Sequence, residues 1–116
     1  MTVLVHYGTS TPVIDTPHAP GDELDYAFAW GDWLEAGESI ASNSWSSDGV
    51  FDIESSTNVA SLTINGVVYT IVHIVWLSAA SESVGKRGKI TQSITTDSVP
   101  PRTRQRSFYL DCEPPL

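Results

Sequence analysis

Val67-Val68-Tyr69-Thr70-Ile71-Val72-His73-Ile74-Val75-Trp76-Leu77 is the longest apolar run of the chain, and it holds no Gly or Pro. Side chains branched at Cβ are stiff and suit a pleated, packed surface. Asn65-Gly66 stands just before it, preceded by Ser61-Leu62-Thr63-Ile64. Asn-Gly between two such runs marks a β-hairpin, because a type I′ turn needs φ > 0 at both central residues. A two-residue turn fixes the register: Ile64 opposite Val67, Leu62 opposite Tyr69, Ala60 opposite Ile71. These six side chains are then expected on one face, with Thr63/Val68, Ser61/Thr70 and Val59/Val72 on the other. His73–Leu77, apolar on both faces, reads as a strand deep in a sandwich.

The same period of two recurs upstream. Leu24, Tyr26, Phe28 and Trp30 fall on one face, with Glu23, Asp25, Ala27 and Ala29 on the other, which predicts one packed face and one that is solvated or lightly covered. Asp32–Gly37 reads as one short helical turn, ended by Gly37 in the left-handed region, with Trp33 or Leu34 plugging the sandwich end. Ser39–Trp45 and Val50–Glu54 read as lighter strands about a turn at Ser46–Gly49. Downstream, Ser78–Gly85 is a small-residue loop. Gly88–Thr96 (Ile90 and Ile94 inward) and Thr103–Cys112 (Phe108, Leu110 and Cys112 inward) flank a turn at Asp97–Pro101. Short strands at regular spacing with turn chemistry between them give an all-β sandwich of about seven antiparallel strands. One domain is expected for 116 residues. It divides into an extended Pro-containing arm (1–21), with Val13-Ile14 pinned to a neighbour, a sandwich (22–113) and a tail (114–116).

Charge is unevenly distributed. Residues 1–81 carry ten acidic side chains and no Lys or Arg, while the remainder carries all six basic and four acidic ones. The acidic body argues against general nucleic-acid binding. The polarity favours ordered contacts between unlike faces of neighbouring subunits. Arg102, Arg104 and Arg106 share one strand face; antiparallel pairing sets them ~25–30 Å from Lys86, Arg87 and Lys89, so no single basic patch is expected. The start, Met1-Thr2-Val3-Leu4-Val5-His6-Tyr7, lacks a signal-peptide pattern, and no stretch is long and apolar enough for a membrane span.

Little in the chain points to chemistry. His6, His18 and His73 are scattered without metal-ligand spacing. His18 reads as a loop bystander and His73 as a hydrogen-bonded core or edge residue. Asp22-Glu23-Asp25 lacks an EF-hand pattern, and no Gly-x-Ser-x-Gly elbow or phosphate-cradling loop is present. The single Cys112 reads as a small apolar residue at a strand end. No enzyme, cofactor or metal is therefore expected. Trp33 and Trp45 are the two aromatic side chains placed to form an exposed sugar platform.

Three segments together carry a resemblance. They are Leu24–Leu34 with Gly37-Glu38-Ser39-Ile40 and Trp45; Val75-Trp76-Leu77-Ser78; and Ile90–Thr96 with Arg106–Leu110. In order and spacing they resemble small tailed-bacteriophage structural proteins of the tail-fibre adaptor type, over roughly residues 20–112. The resemblance implies an immunoglobulin-like sandwich, made in the host cytoplasm and built into the virion, without catalytic residues. It implies partners among tail, fibre or capsid subunits, and a homo-oligomer in the particle. Three departures stand out: Ala79-Ala80 in place of a glycine pair, Gly88 where a tyrosine is expected, and Asp97–Arg102 in place of a short glycine turn. The contact residues expected are Val13, Ile14, Glu82, Arg102 and Arg104. A capsid-decorating or head–tail protein and a carbohydrate-binding module using Trp33 or Trp45 are the alternative expectations.

Overall fold

The computed structural model describes residues 3–5, 11–14 and 17–114. It holds seven strands: β1 (Val3–Leu4), β2 (Leu24–Ala29), β3 (Ile40–Ser47), β4 (Asp52–Ile64), β5 (Val67–Ser78), β6 (Arg87–Thr96) and β7 (Thr103–Asp111). One sheet has the order β1-β2-β5-β4 and the other β3-β6-β7. That is the four-plus-three strand order of an immunoglobulin constant-type sandwich. The arm residues His6 to Ser10, Asp15 and Thr16 lie outside the described residues, as do Met1, Thr2, Pro115 and Leu116.

The hairpin forms where Asn65-Gly66 places it. Both residues have positive φ, +51° and +79°, and the pairs Ile64↔Val67, Leu62↔Tyr69, Thr63↔Val68, Ser61↔Thr70 and Val59↔Val72 follow. The shared face does not. Ile71 packs on the core between the sheets, whereas Leu62 and Tyr69 join Val59, Val72 and Ile74 in a second cluster outside the four-stranded sheet. The alternation breaks at Ile71, whose φ is +51°, a conformation rare for a β-branched residue. Ile71 and Thr70 there accept hydrogen bonds from the Trp30 and Gly31 amides, at 3.0 and 3.1 Å. Gly31 permits that approach: a Cβ on it would stand 1.8 Å from Thr70 Oγ1.

The main core takes the alternating face of β2 (Tyr26, Phe28, then Trp30), Val75 and Leu77 of β5, Ile90 and Ile94 of β6, and Phe108 and Leu110 of β7. Ile90, Ile94, Phe108, Leu110 and Cys112 point inward as their spacing predicts. The opposite face of β2 is not solvated: Ala27 is fully buried and Asp25 is 5% exposed. The second apolar cluster beside Ala27 is the reason. Between β2 and β3, Leu34 donates to the Trp30 carbonyl at 3.2 Å, a single turn that does not continue. Gly37 has φ +78°, and Trp33 and Leu34 both rest on the core. The only helical segment among the described residues is a 3-10 turn at Ser81–Ser83, inside the stretch read as a loop.

β4 is longer than its sequence suggests. Ser55-Ser56 look like residues that merely lead to the hairpin, yet they pair with β5, with one irregularity between Ile53 and Ser55. β2 covers β5 only from Val72 to Leu77. Trp30 and Gly31 extend that cover to Ile71 and Thr70, so the hairpin overhangs by about three residues, roughly 10 Å, on a molecule 46 Å in its longest dimension.

The described residues of the arm pair with their own chain. β1 lies parallel on β2, and Val13 and His18 bridge in parallel to Tyr109 and Cys112 at the free edge of β7. Ile14 N donates to Tyr109 O and Tyr109 N to Pro12 O, both at 2.9 Å. That edge needs hydrogen-bond partners, and an extended proline-spaced segment supplies them. His18 is no bystander: it is fully buried, with Nδ1 3.0 Å from the Tyr26 hydroxyl and Nε2 2.9 Å from Asp22 O. Burial, with Asp22 and Asp25 adding to it, pushes the Tyr26 phenol above its ordinary value.

Gly88 lies under the ring of Phe51. A Cβ there would approach Phe51 Cδ2 to 2.5 Å and Val50 Cβ to 3.0 Å, so Phe51 fills the space a side chain at 88 would need. Gly88→Ala is expected to cost about 2 kcal/mol from overpacking. Urea denaturation would measure it, and a loss shrinking toward zero in a Phe51→Ala background would identify Phe51 as the obstacle.

A candidate protein-docking end

The β2–β3 turn, the β4–β5 hairpin and the β6–β7 loop all emerge at one end of the sandwich, as the pairings Ala29↔Val72, Ile40↔Thr96 and Thr95↔Thr103 require. This end displays three exposed valines: Val67 at 50%, Val68 at 63% and Val99 at 98% relative exposure. Apolar side chains held out in this way mark contact surfaces when they cluster.

The loop bearing Val99 is tied down. Asp97 accepts from Ser39 N at 2.8 Å and from Ser39 Oγ at 2.6 Å, while Asp97 N donates to Ser39 O at 3.0 Å. Arg102 N donates to Thr96 Oγ1 at 2.9 Å, and Val99-Pro100 is cis. The Arg102 side chain clamps the neighbouring turn: Nε donates to Glu38 Oε2 at 2.9 Å, Nη2 to Glu38 Oε1, and the guanidinium lies 4.2 Å from the Trp33 ring centroid. The bond to Arg102 holds the Glu38 carboxyl down at about 2, and the bonds to Ser39 lower Asp97. A loop fixed in advance loses less entropy on binding.

The structure separates the other expected contact residues. Arg102 is spent within the chain on Glu38, Glu35 and Trp33. Arg104 is exposed near the same end, and Val13, 42% exposed, sits further along the β7 edge. Ile14 packs on the core. Glu82 is at the opposite end, lining a cleft of about 380 Å³ with Asp48, Asp52 and Lys86. Arg87 is likewise paired, with Asp111 at 2.7 Å, and Arg106 lies 4.1 Å from the Trp30 centroid while donating to Ala29 O. Trp33 has one face under Arg102 and the ring of Trp30 against it. Trp45 stacks on Phe28, with centroids 5.5 Å apart. Its Nε1 is buried without a partner among the described residues. Neither tryptophan stands out as a platform.

Asp22, Glu23 and Asp25 do not converge: Asp22 accepts from Ala19 N, and Asp25 is buried. Among the described residues no three His, Cys, Asp or Glu side chains form a metal-binding group.

One polar site escaped sequence reading. Gln92 is fully buried between the sheets. Its Oε1 accepts from Trp30 Nε1 at 2.9 Å and its Nε2 lies 2.6 Å from His73 Nδ1. Indole N–H only donates, so the amide oxygen faces Trp30, the amide nitrogen donates to His73, and Nδ1 must be unprotonated. Burial lowers the His73 pKa to about 4 from an ordinary 6.5. Between those values the unfolded chain takes up a proton that the folded chain refuses, so His73 favours the fold above pH 6.5 and this contribution drains away as pH falls toward 4. Glu38, with its pKa lowered from 4.5, acts in a lower window, lost as pH falls from 4.5 toward 2. A urea midpoint that drops between pH 7 and 5 in the wild type, and stays flat over that range in His73→Phe, is the expected result.

A family model described as podophage GP4 fiber-tail adaptor protein gp77 matches residues 18–111. No curated protein and no solved structure matches the chain. The matched span runs from His18, at the β7 edge, to Asp111, the last residue of β7, and so takes in six of the seven strands and all three loops of the docking end. By that match over well more than half its length, the chain belongs to the podophage fiber-tail adaptor family gp77.

Proposed function

We propose that this protein is a structural component of a tailed-phage virion that joins fibre to tail by protein–protein contacts. The observation that carries the reading is the family match together with an end where Val67, Val68 and Val99 are held out on a hairpin and a braced loop. Arg104 and Val13 extend that contact region along β7. An adaptor needs a second region, and the opposite end around Glu82 supplies it. The protein is made in the host cytoplasm and acts as several copies in the particle.

The test is a Val67→Asp/Val68→Asp double variant in phage particles. Both side chains lie on the overhang, away from the core, so the isolated chain keeps its melting temperature. Fibre-bearing particles fall by at least about tenfold, as expected for removal of central apolar contacts. Particles that assemble and retain fibres normally, or purified virions in which mass spectrometry finds no trace of the chain, would sink the proposal.

A further inference from the structure

The two flanks of the sandwich are treated differently. On one, β1 covers the edge of β2, and Val13 and His18 cover the edge of β7. On the other, β3 and β4 end their sheets. Half the peptide groups of an outermost antiparallel strand point away from its partner. Among the described residues no hydrogen bond from outside the β4–β5 pair reaches the backbone of Ser55–Ile64. Proteins block such edges with Lys, Pro, bulges or short strands. Ser55–Ile64 has no charged residue, no Pro and no Gly, and it keeps the same register with β5 on both sides of Ala60, where the pairing skips one residue.

β4 also carries a chemical direction. Asp52 and Glu54, both exposed, stand at its start, while Leu62 and Ile64 stand at its end beside exposed Val67. A second β4 laid antiparallel about Asn58 would set Ile64 against Asp52 and Leu62 against Glu54, an apolar-to-acid mismatch. The complement is a different strand.

We propose that β4 is a receiving edge for an extended segment of a second protein. That segment pairs antiparallel, with apolar residues at its N-terminal end, next to Ile64, and Lys or Arg at its C-terminal end, next to Asp52 and Glu54. Main-chain hydrogen bonds supply affinity, and the graded side chains supply direction. That the donor is a virion neighbour rests on the adaptor reading; that β4 receives a strand does not.

The probe is a synthetic ten-residue peptide with Val and Thr in its first half and Lys and Arg in its last third, added to the full chain. Amide exchange in Ser55–Ile64 is expected to slow about tenfold at tenfold excess over the Kd. Methylating alternate peptide amides abolishes the effect, and reversing the order of the two halves weakens binding at least about fivefold. No slowing up to ~1 mM peptide, equal binding of the reversed peptide, protection confined to other strands, or concentration-dependent self-protection of β4 without peptide would each overturn the inference. Mass spectrometry of particles asks the separate question of virion membership, so either idea can fail while the other stands.

Discussion

Trp30→Ala is expected to destabilise the protein by about 4 kcal/mol, a large part of the 5–15 kcal/mol that holds a typical domain together. Trp30 is fully buried. Its ring meets Phe28 at 6.2 Å and Trp33 at 5.7 Å, both edge-on, and Arg106 reaches over it from the other sheet. Truncation removes the contact surface that joins β2 to β7 and leaves Gln92 Oε1 buried without its donor. Trp30→Phe keeps most of the packing and loses the N–H, so it should cost less, about 1–3 kcal/mol. Denaturant unfolding followed by circular dichroism separates the two. A loss under about 1.5 kcal/mol for the alanine variant would mean that the surrounding rings close the gap.

The second large effect is expected for Gln92→Leu. The volume is nearly kept, so packing changes little. Both partners of the amide are stranded: Trp30 Nε1 loses its acceptor and His73 Nδ1 its donor, in a site closed to water. Each unpaired group costs about 1–3 kcal/mol, so a loss near 3 kcal/mol is expected. A cycle with Trp30→Phe tests the assignment. If the indole–amide bond carries part of the loss, the two substitutions couple by about 1 kcal/mol or more. Additive losses would show that the bond contributes nothing of its own.

Much of this sandwich is legible because alternation is a local signal. Leu24 to Trp30, Ile90 with Ile94, and Phe108 with Leu110 each declare an inward face without reference to any other strand. Asn65-Gly66 fixes a register for the same reason. The features that sequence reading missed are non-local. Gln92 looks like a polar residue in an amphipathic strand, and nothing nearby says that it meets an indole and an imidazole from the opposite sheet. Asp25 looks solvent-facing until the outer cluster beside it is seen. Ser55-Ser56 look like linker because hydroxyl side chains are silent about a ladder made by the backbone. Arg102 looks free until Glu38 and Trp33 arrive beside it from another turn. The docking end has the same character. Val67 and Val99 are unremarkable on a strand and in a loop, and only strand order brings their loops to one end.

The parallel bridges of the arm bear on the order in which the molecule is made. Val13 and His18 rest on Tyr109 and Cys112, so these residues leave a ribosome well before the ones they are bonded to. Closing a loop of nearly the whole chain costs more entropy than any hairpin within it, and such contacts form late. The arm therefore waits while the two sheets assemble, and it sets only after β7 has emerged. Its seating reports that synthesis has passed β7. A chain cut short before β7 leaves Val13 without its bridge and His18 with only Tyr26 and Asp22 as hydrogen-bond partners.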